Sequence, residues 1–255
     1  LRTVSDRRRV FVAPFIALRQ RDRLCESIGC NRNGGNEMRP SFWHDRWRDG
    51  RIGFHRAEPN PALTEWWGHV ACKPEGAVLV PLCGKSVDMH WLARAGNNVA
   101  GVDISPVAID AFWSEAQLAP TLSRIDEYSK TSTERVSLLQ GSFFNIETTH
   151  LPALSAFYDR AAIIALPPEL QPHYAFALSR VVPTGTQGLM ITVEYDQGEI
   201  DGPPFSTSPD RVRSLLGDTF EVEVLVSRDA YDRASHLAER GLTALHEHVL
   251  LLTRK

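Results

Sequence analysis

The stretch from Ala77 to Asp103 constrains this chain more than any other. Ala77–Leu82 is a short, bulky apolar run, the pattern of a strand buried on both faces of a parallel sheet. Cys83-Gly84-Lys85-Ser86 interrupts it, and Gly84 has no Cβ to obstruct a sharp turn or the approach of a ligand. Ser86 is placed to cap a helix whose apolar side carries Met89, Leu92 and Ala93. Gly96 closes that helix, and Val99–Val102 reads as a second strand ending at Asp103, 19 positions after Gly84. In doubly wound α/β folds an acid at this place accepts hydrogen bonds from the ribose of a nucleotide-like cofactor. The same spacing also fits a plain tight turn followed by a strand-end cap. A phosphate-binding P-loop is excluded because Leu79 stands where its first glycine is required, and the dinucleotide fingerprint is excluded because positions 82, 84 and 87 read Leu, Gly and Val.

The 255 residues suit one domain with a substantial core. No apolar run approaches the roughly 20 residues of a membrane helix, so no membrane partner is expected. The four cysteines, Cys25, Cys30, Cys72 and Cys83, form no CxxC pair and have no histidine pattern beside them. They read as reduced thiols of a cytoplasmic protein rather than zinc ligands, and no metal is expected. The formal charge of −3 is uneven: residues 1–37 hold eight arginines against four acids, and the remainder carries −7. So acidic a body is a poor nucleic-acid binder.

Residues 1–37 are expected to be a disordered leader in front of a domain that begins at Met38, since Pro14 interrupts their one apolar run and Asn31–Asn36 is all Asn, Arg and Gly. From Met38 onward, Trp43 and Trp47 share a helical face, Asn60–Ala71 reads as a helix, and a helix over Pro106–Leu118 follows the central unit. A polar stretch through Glu134 precedes the third strand, Val136–Gln140, with Gly141-Ser142 at its carboxyl end, where open α/β sheets bind ligands. Tyr158–Leu166, Gly188–Tyr195, Phe220–Val226 and Leu245–Leu252 complete the strands, with a helix striped by Leu170, Tyr174, Leu178 and Val181 and a short one over Ser208–Leu216. Asp196–Ser206 is a loop. The expected fold is a three-layer α/β sandwich around a seven-stranded, mostly parallel sheet with an antiparallel last strand, an ending that favours a methyltransferase-type sheet over a dehydrogenase by analogy of folds. His246-Glu247-His248 is not HExxH, and its two histidines read as solvated residues on one strand face with no role.

Six segments together resemble one family. Phe42–Trp47, Gly53–His55, Val80–Met89, Gly101–Ser105, Tyr158–Ala162 and Tyr195-Asp196 with Gly202–Phe205 are similar to the thiopurine S-methyltransferases, especially their bacterial members, from about Met38 to Lys255. The resemblance implies the class I S-adenosylmethionine-dependent methyltransferase fold and S-adenosyl-L-methionine as cofactor. It puts Trp47, Leu82, Gly84, Asp103, Ser142 and Arg160 on cofactor-contacting positions, with Ser142 in the loop that approaches the adenine, and Phe54 beside the acceptor, with Arg160 also available to an anionic acceptor. Two departures stand out: the family usually has glutamate at the position of Asp103, and many bacterial members have an acid at that of Ser142.

The implied reaction is methyl transfer from a sulfonium to a small-molecule thiol of a thiopurine or another aromatic or heterocyclic compound, with selenium or tellurium oxyanions as further acceptors. A thiolate is already the nucleophile, so no catalytic residue is expected to act as a strong base; proximity and an aromatic lid suffice. A monomer is expected. Two other readings stay open: a binding module for nucleotides or S-adenosylmethionine that has lost turnover, and a nicotinamide-dependent oxidoreductase on a similar sheet.

Overall fold

β1 (Ala77–Pro81) is buried at every position and lies in the middle of the sheet, between β2 (Asn98–Asp103) and β6 (Leu154–Arg160), parallel to both. The molecule, a computed structural model, is described over residues 40–73 and 76–255; the leader expected at 1–37 lies outside the described residues. The further strands are β3 (Thr121–Ile125), β4 (Tyr128–Ser132), β5 (Val136–Gln140), β7 (Gln187–Glu194), β8 (Phe220–Asp229) and β9 (His246–Arg254). They form one sheet of nine in the order β3-β4-β5-β2-β1-β6-β7-β9-β8. β9 runs antiparallel to both its neighbours, as expected of the last strand.

Two expectations need correction. The sheet has nine strands, not seven, because the polar stretch before β5 folds into the β3–β4 hairpin and pairs antiparallel to β5. β3 is exposed at four of its five positions, so it lacks the apolar alternation that marks a strand in a sequence. The fourth expected strand, Tyr158–Leu166, is set too late: β6 ends at Arg160. Asp159 ends it, its Oδ1 accepting the amides of Ala162 at 3.1 Å and Ile163 at 3.4 Å around Ala161, whose φ is +67°.

Alternate strand residues point to opposite faces of the sheet, and each face is covered by helices. On one side Leu79, Phe157 and Met190 pack under α5 (Gln171–Val181) and α6 (Pro209–Leu216). On the other, Val78, Val80, Tyr158 and Leu189 pack under α2 (Pro61–Trp66), α3 (Asp88–Arg94) and α4 (Pro106–Glu115). Asn60, Ser105 and Ser208 cap α2, α4 and α6 through their side-chain oxygens, each just before a proline at the helix start. α1 (Pro40–Arg48) and the short α7 (His236–Glu239) complete the α-helices among the described residues. Among the described residues, no helix is long and apolar enough to cross a membrane.

Buried carboxylates tie these layers together. Asp88, 2% exposed at the start of α3, accepts the Asn60 amide at 2.8 Å and the Tyr158 hydroxyl at 2.9 Å, joining α2, α3 and β6. Asp159 is fully buried and also accepts the Tyr174 hydroxyl of α5 at 2.6 Å. Burial pushes its carboxyl up to about 6, against the pull of those three donors. A carboxyl raised in the folded state favours folding most when protonated, and that contribution is lost as pH rises from about 4 through about 6. Asp159→Asn keeps an amide acceptor and cannot ionise. Urea unfolding of both proteins at several pH values should show the variant gaining on the wild type by about 2–3 kcal/mol between pH 4 and 7. A difference that stays constant with pH would mean the carboxyl ionises alike in both states.

Candidate active site

The parallel strands β1, β2, β5 and β6 all end at one edge of the sheet, and the turns beyond them bring the expected residues together. Leu82 and Gly84 follow β1, Asp103 ends β2, Ser142 lies just past β5, and Arg160 ends β6. The β1 turn is held in an unusual backbone: Leu82 has φ +47° and Gly84 φ +51°, the left-handed region. A leucine there costs about 1 kcal/mol or more. Bonds from the Cys83 amide to the Val102 carbonyl at 3.2 Å and from the Gly84 amide to Asp103 Oδ2 at 2.7 Å hold the turn against that cost.

Trp47, on α1, lies over this turn. A Cβ on Gly84 would stand 2.7 Å from the indole, so only glycine lets the ring come this close. Phe54 packs edge-on against Trp47 at 5.6 Å and against Trp43 at 5.9 Å. The Arg160 guanidinium donates to the Phe54 carbonyl at 3.2 Å, fastening the loop that holds Phe54 to the end of β6. Phe205 is drawn to the same end by its amide, which donates to the Ile164 carbonyl at 2.6 Å.

Asp103 is the polar centre. It is 7% exposed, and its second oxygen accepts the Ser105 amide at 2.8 Å. Burial raises the pKa of the carboxyl; the amides of Ser105 and Gly84 and the nearby His44 oppose that rise. Its backbone carbonyl accepts the Gly141 amide at 2.9 Å, which brings the Ser142 loop beside it.

Several groups at this edge were not singled out from the sequence. His55, next to Phe54, has its pKa lowered first by burial and then by the charge of Lys85, with Arg160 acting the same way. Cys83 lies in the turn itself, but burial and the Asp103 charge push its thiol far up, so it stays protonated and unreactive. Tyr128 of β4 donates to the Ser142 carbonyl at 2.8 Å. His248 is not solvated: it is 5% exposed, with Nδ1 2.8 Å from the Ser227 hydroxyl and Nε2 2.9 Å from Glu194. Asp126, Glu127 and His150 come close enough together to hold a metal. However, His150 Nδ1 accepts the Glu147 amide at 3.0 Å, so Nε2 keeps a proton for Asp126, also at 3.0 Å, and neither nitrogen has a free lone pair for a cation. A surface depression of about 700 Å³ is lined by α3, α4 and the start of β5 and touches none of the expected site residues.

A family model described as thiopurine S-methyltransferase matches residues 38–255. A thiopurine S-methyltransferase of Shewanella pealeana is 40% identical over 218 residues, covering 86% of this chain and 100% of its own length. One of Pseudomonas fluorescens is 40% identical over 212 residues, 83% of this chain and 97% of its own. Among solved structures, a magnesium protoporphyrin IX methyltransferase of Synechocystis with bound SAH superposes with a TM-score of 0.58 at 14% identity, covering 85% of this chain and 99% of its own. A SAM-dependent methyltransferase of Anabaena variabilis gives 0.59 at 10%, covering 85% and 95%. At such identities the two structures show a shared α/β methyltransferase fold.

The contact between Trp47 and Gly84 can be tested directly. Gly84→Ala adds a Cβ in a left-handed conformation and beneath the indole, and should lose about 1–2 kcal/mol of stability from the backbone alone. Tryptophan fluorescence should shift as the Trp47 ring is lifted toward water. A variant as stable as the wild type, with unchanged emission, would show that the turn does not depend on this contact.

Proposed function

The chain belongs to the thiopurine S-methyltransferase family, and from that membership we propose that it transfers the methyl group of S-adenosyl-L-methionine to the sulfur of thiopurines and other aromatic or heterocyclic thiols. The observation that carries the reading is the convergence of Asp103, Gly84, Ser142 and Arg160 at one sheet edge, with Trp47 over Gly84 and Phe54 against Trp47. The donor set suits this cofactor. Each Asp103 oxygen is engaged by one amide, which leaves a lone pair on each for the two hydroxyls of a ribose. When bound, the cofactor supplies a methyl group already activated on a sulfonium. The turn at Leu82 and Gly84 brings its backbone to the same edge, beneath the Trp47 ring. Arg160 provides a cation for a carboxylate of the cofactor or for an anionic acceptor. Trp47, Phe54 and Phe205 offer flat apolar walls that orient an aromatic acceptor and exclude water. A soft, already ionised acceptor atom needs nothing more, so we extend the proposal to selenium or tellurium oxyanions.

No residue of this constellation is needed to deprotonate an acidic thiol, and that is the test of the reaction. With a series of thiophenols and a thiopurine, the rate should rise with pH and level off at each acceptor's own thiol pKa. Bends at one common pH would instead make His55, neutral at pH 7, an enzymic base. Comparable turnover of catechols or amines would remove the thiol assignment.

Binding gives a second expectation. A charge-assisted contact to the ribose is worth on the order of 1.5–3 kcal/mol, so Asp103→Ala should raise the Kd for S-adenosylhomocysteine about ten-fold or more by calorimetry. An unchanged Kd together with a lowered Tm would restrict Asp103 to holding the Gly84 and Ser105 amides.

A further inference from the structure

We propose that Tyr128, on the β3–β4 hairpin, is a positioning residue for the cofactor: its hydroxyl fixes the Ser142 peptide and so presents the Gly141–Ser142 loop to the adenine ring. The inference rests on the proposed function and on the reading that this loop borders the adenine.

Tyr128 is the first residue of β4, just after the turn of the hairpin, and is fully enclosed. Its ring packs against Gly141, where any Cβ would overlap it. The hydroxyl donates to the Ser142 carbonyl at 2.8 Å, the same carbonyl that receives the Asn145 amide at 3.2 Å and starts a single 3-10 turn over Phe143–Asn145. One tyrosine therefore holds the loop by packing and by hydrogen bond at once. At its far end the loop is held by Arg180 of α5, which donates to the Phe144 carbonyl at 3.0 Å. The Ser142 side chain makes no capping bond to the turn, so its hydroxyl is left over for a ligand.

The tyrosine is itself held. Its ring lies 4.8 Å from the His150 imidazole, which bonds to Asp126 in the hairpin turn and to the Glu147 amide. On the other side of the hairpin Trp113 of α4 donates to the Thr131 hydroxyl at 2.8 Å. The phenol is pushed up to about 12, chiefly by burial, so it remains a donor throughout the working range of an enzyme. A seven-stranded sheet ending at β5 would leave this loop with no such support. The two added strands are thus a brace for one edge of the site, reaching it through one side chain.

Adenine differs from hypoxanthine in carrying an exocyclic amino group where the latter has an oxo group, so a loop that faces this edge distinguishes the two bases. Calorimetry with S-adenosylhomocysteine and S-inosylhomocysteine on the full chain and on Tyr128→Phe, which keeps the ring and loses only the hydroxyl, makes the test. The unmodified chain should prefer the adenosyl ligand. In Tyr128→Phe the adenosyl Kd should rise five- to ten-fold and the inosyl Kd less than two-fold, narrowing the preference. Without ligand, amide hydrogen exchange at Ser142–Ile146 should quicken while β1 and β2 stay as protected as before. Equal weakening of both ligands, or no weakening of either, would overturn the inference. So would an unmodified chain that binds both ligands equally, which would take the loop away from the adenine while leaving methyl transfer intact.

Discussion

The short hydrogen bond from the Gly84 amide to the Asp103 carboxylate is the constraint on which the rest of the site depends. It joins the turn after β1 to the end of β2, the two central strands, and so fixes a left-handed backbone that the chain would not choose locally. The Trp47 ring can lie where it does because that turn exposes a glycine face, and Phe54 and Arg160 are in turn arranged around Trp47. A buried carboxylate is costly unless donors satisfy it, and Asp103 has two amides to do so. The same arrangement gives it geometry: the two amides, one on each oxygen, hold the carboxylate in one orientation.

Asp88 and Asp159 repeat the device at the neighbouring elements. Each is buried and each accepts a tyrosine hydroxyl and one or two backbone amides: Asp88 takes Asn60 and Tyr158, and Asp159 takes Ala162, Ile163 and Tyr174. Three irregular segments beside the ligand edge are therefore fastened by carboxylates rather than by ladder bonds, which end where the strands end. That solves a general difficulty of α/β sheets, whose ligands sit where the regular backbone bonding has stopped. It also accounts for two residues of Val80–Met89: Gly84 and Asp88 each have a partner in another element.

The central unit was legible because its signals are local and strong: a buried apolar run, a glycine, a striped helix and an acid at the end of the next strand. The positions drawn from the resemblance, Trp47, Phe54, Leu82, Gly84, Asp103, Ser142 and Arg160, do converge on one edge. The β3–β4 hairpin was not legible, since an exposed edge strand such as Thr121–Ile125 has no apolar face to show. The end of β6 was missed for a different reason. Hydropathy runs on through Ala161–Leu166, and only the side chain of Asp159, turning back on two amides, stops the strand. His248 was misread because nothing in its own strand reveals Ser227 and Glu194, which arrive from β8 and β7. For His248 the deciding partners are distant in sequence, whereas Asp159 meets amides only three and four residues on.

Reactivity at this edge is suppressed more than it is promoted. Cys83 is the one thiol in the central turn, and a thiolate there would compete with an acceptor for an electrophilic methyl group. Burial, with Asp103 close by, keeps it protonated. The carboxylates that might serve as bases are occupied by amides and hydroxyls, and Arg160 is committed in part to the Phe54 carbonyl. An activated donor makes such restraint useful, because any strong nucleophile of the protein within reach would be methylated before the acceptor. A site of this kind gains selectivity by holding two reactive partners in line between aromatic walls, while offering neither of them a reactive group of its own.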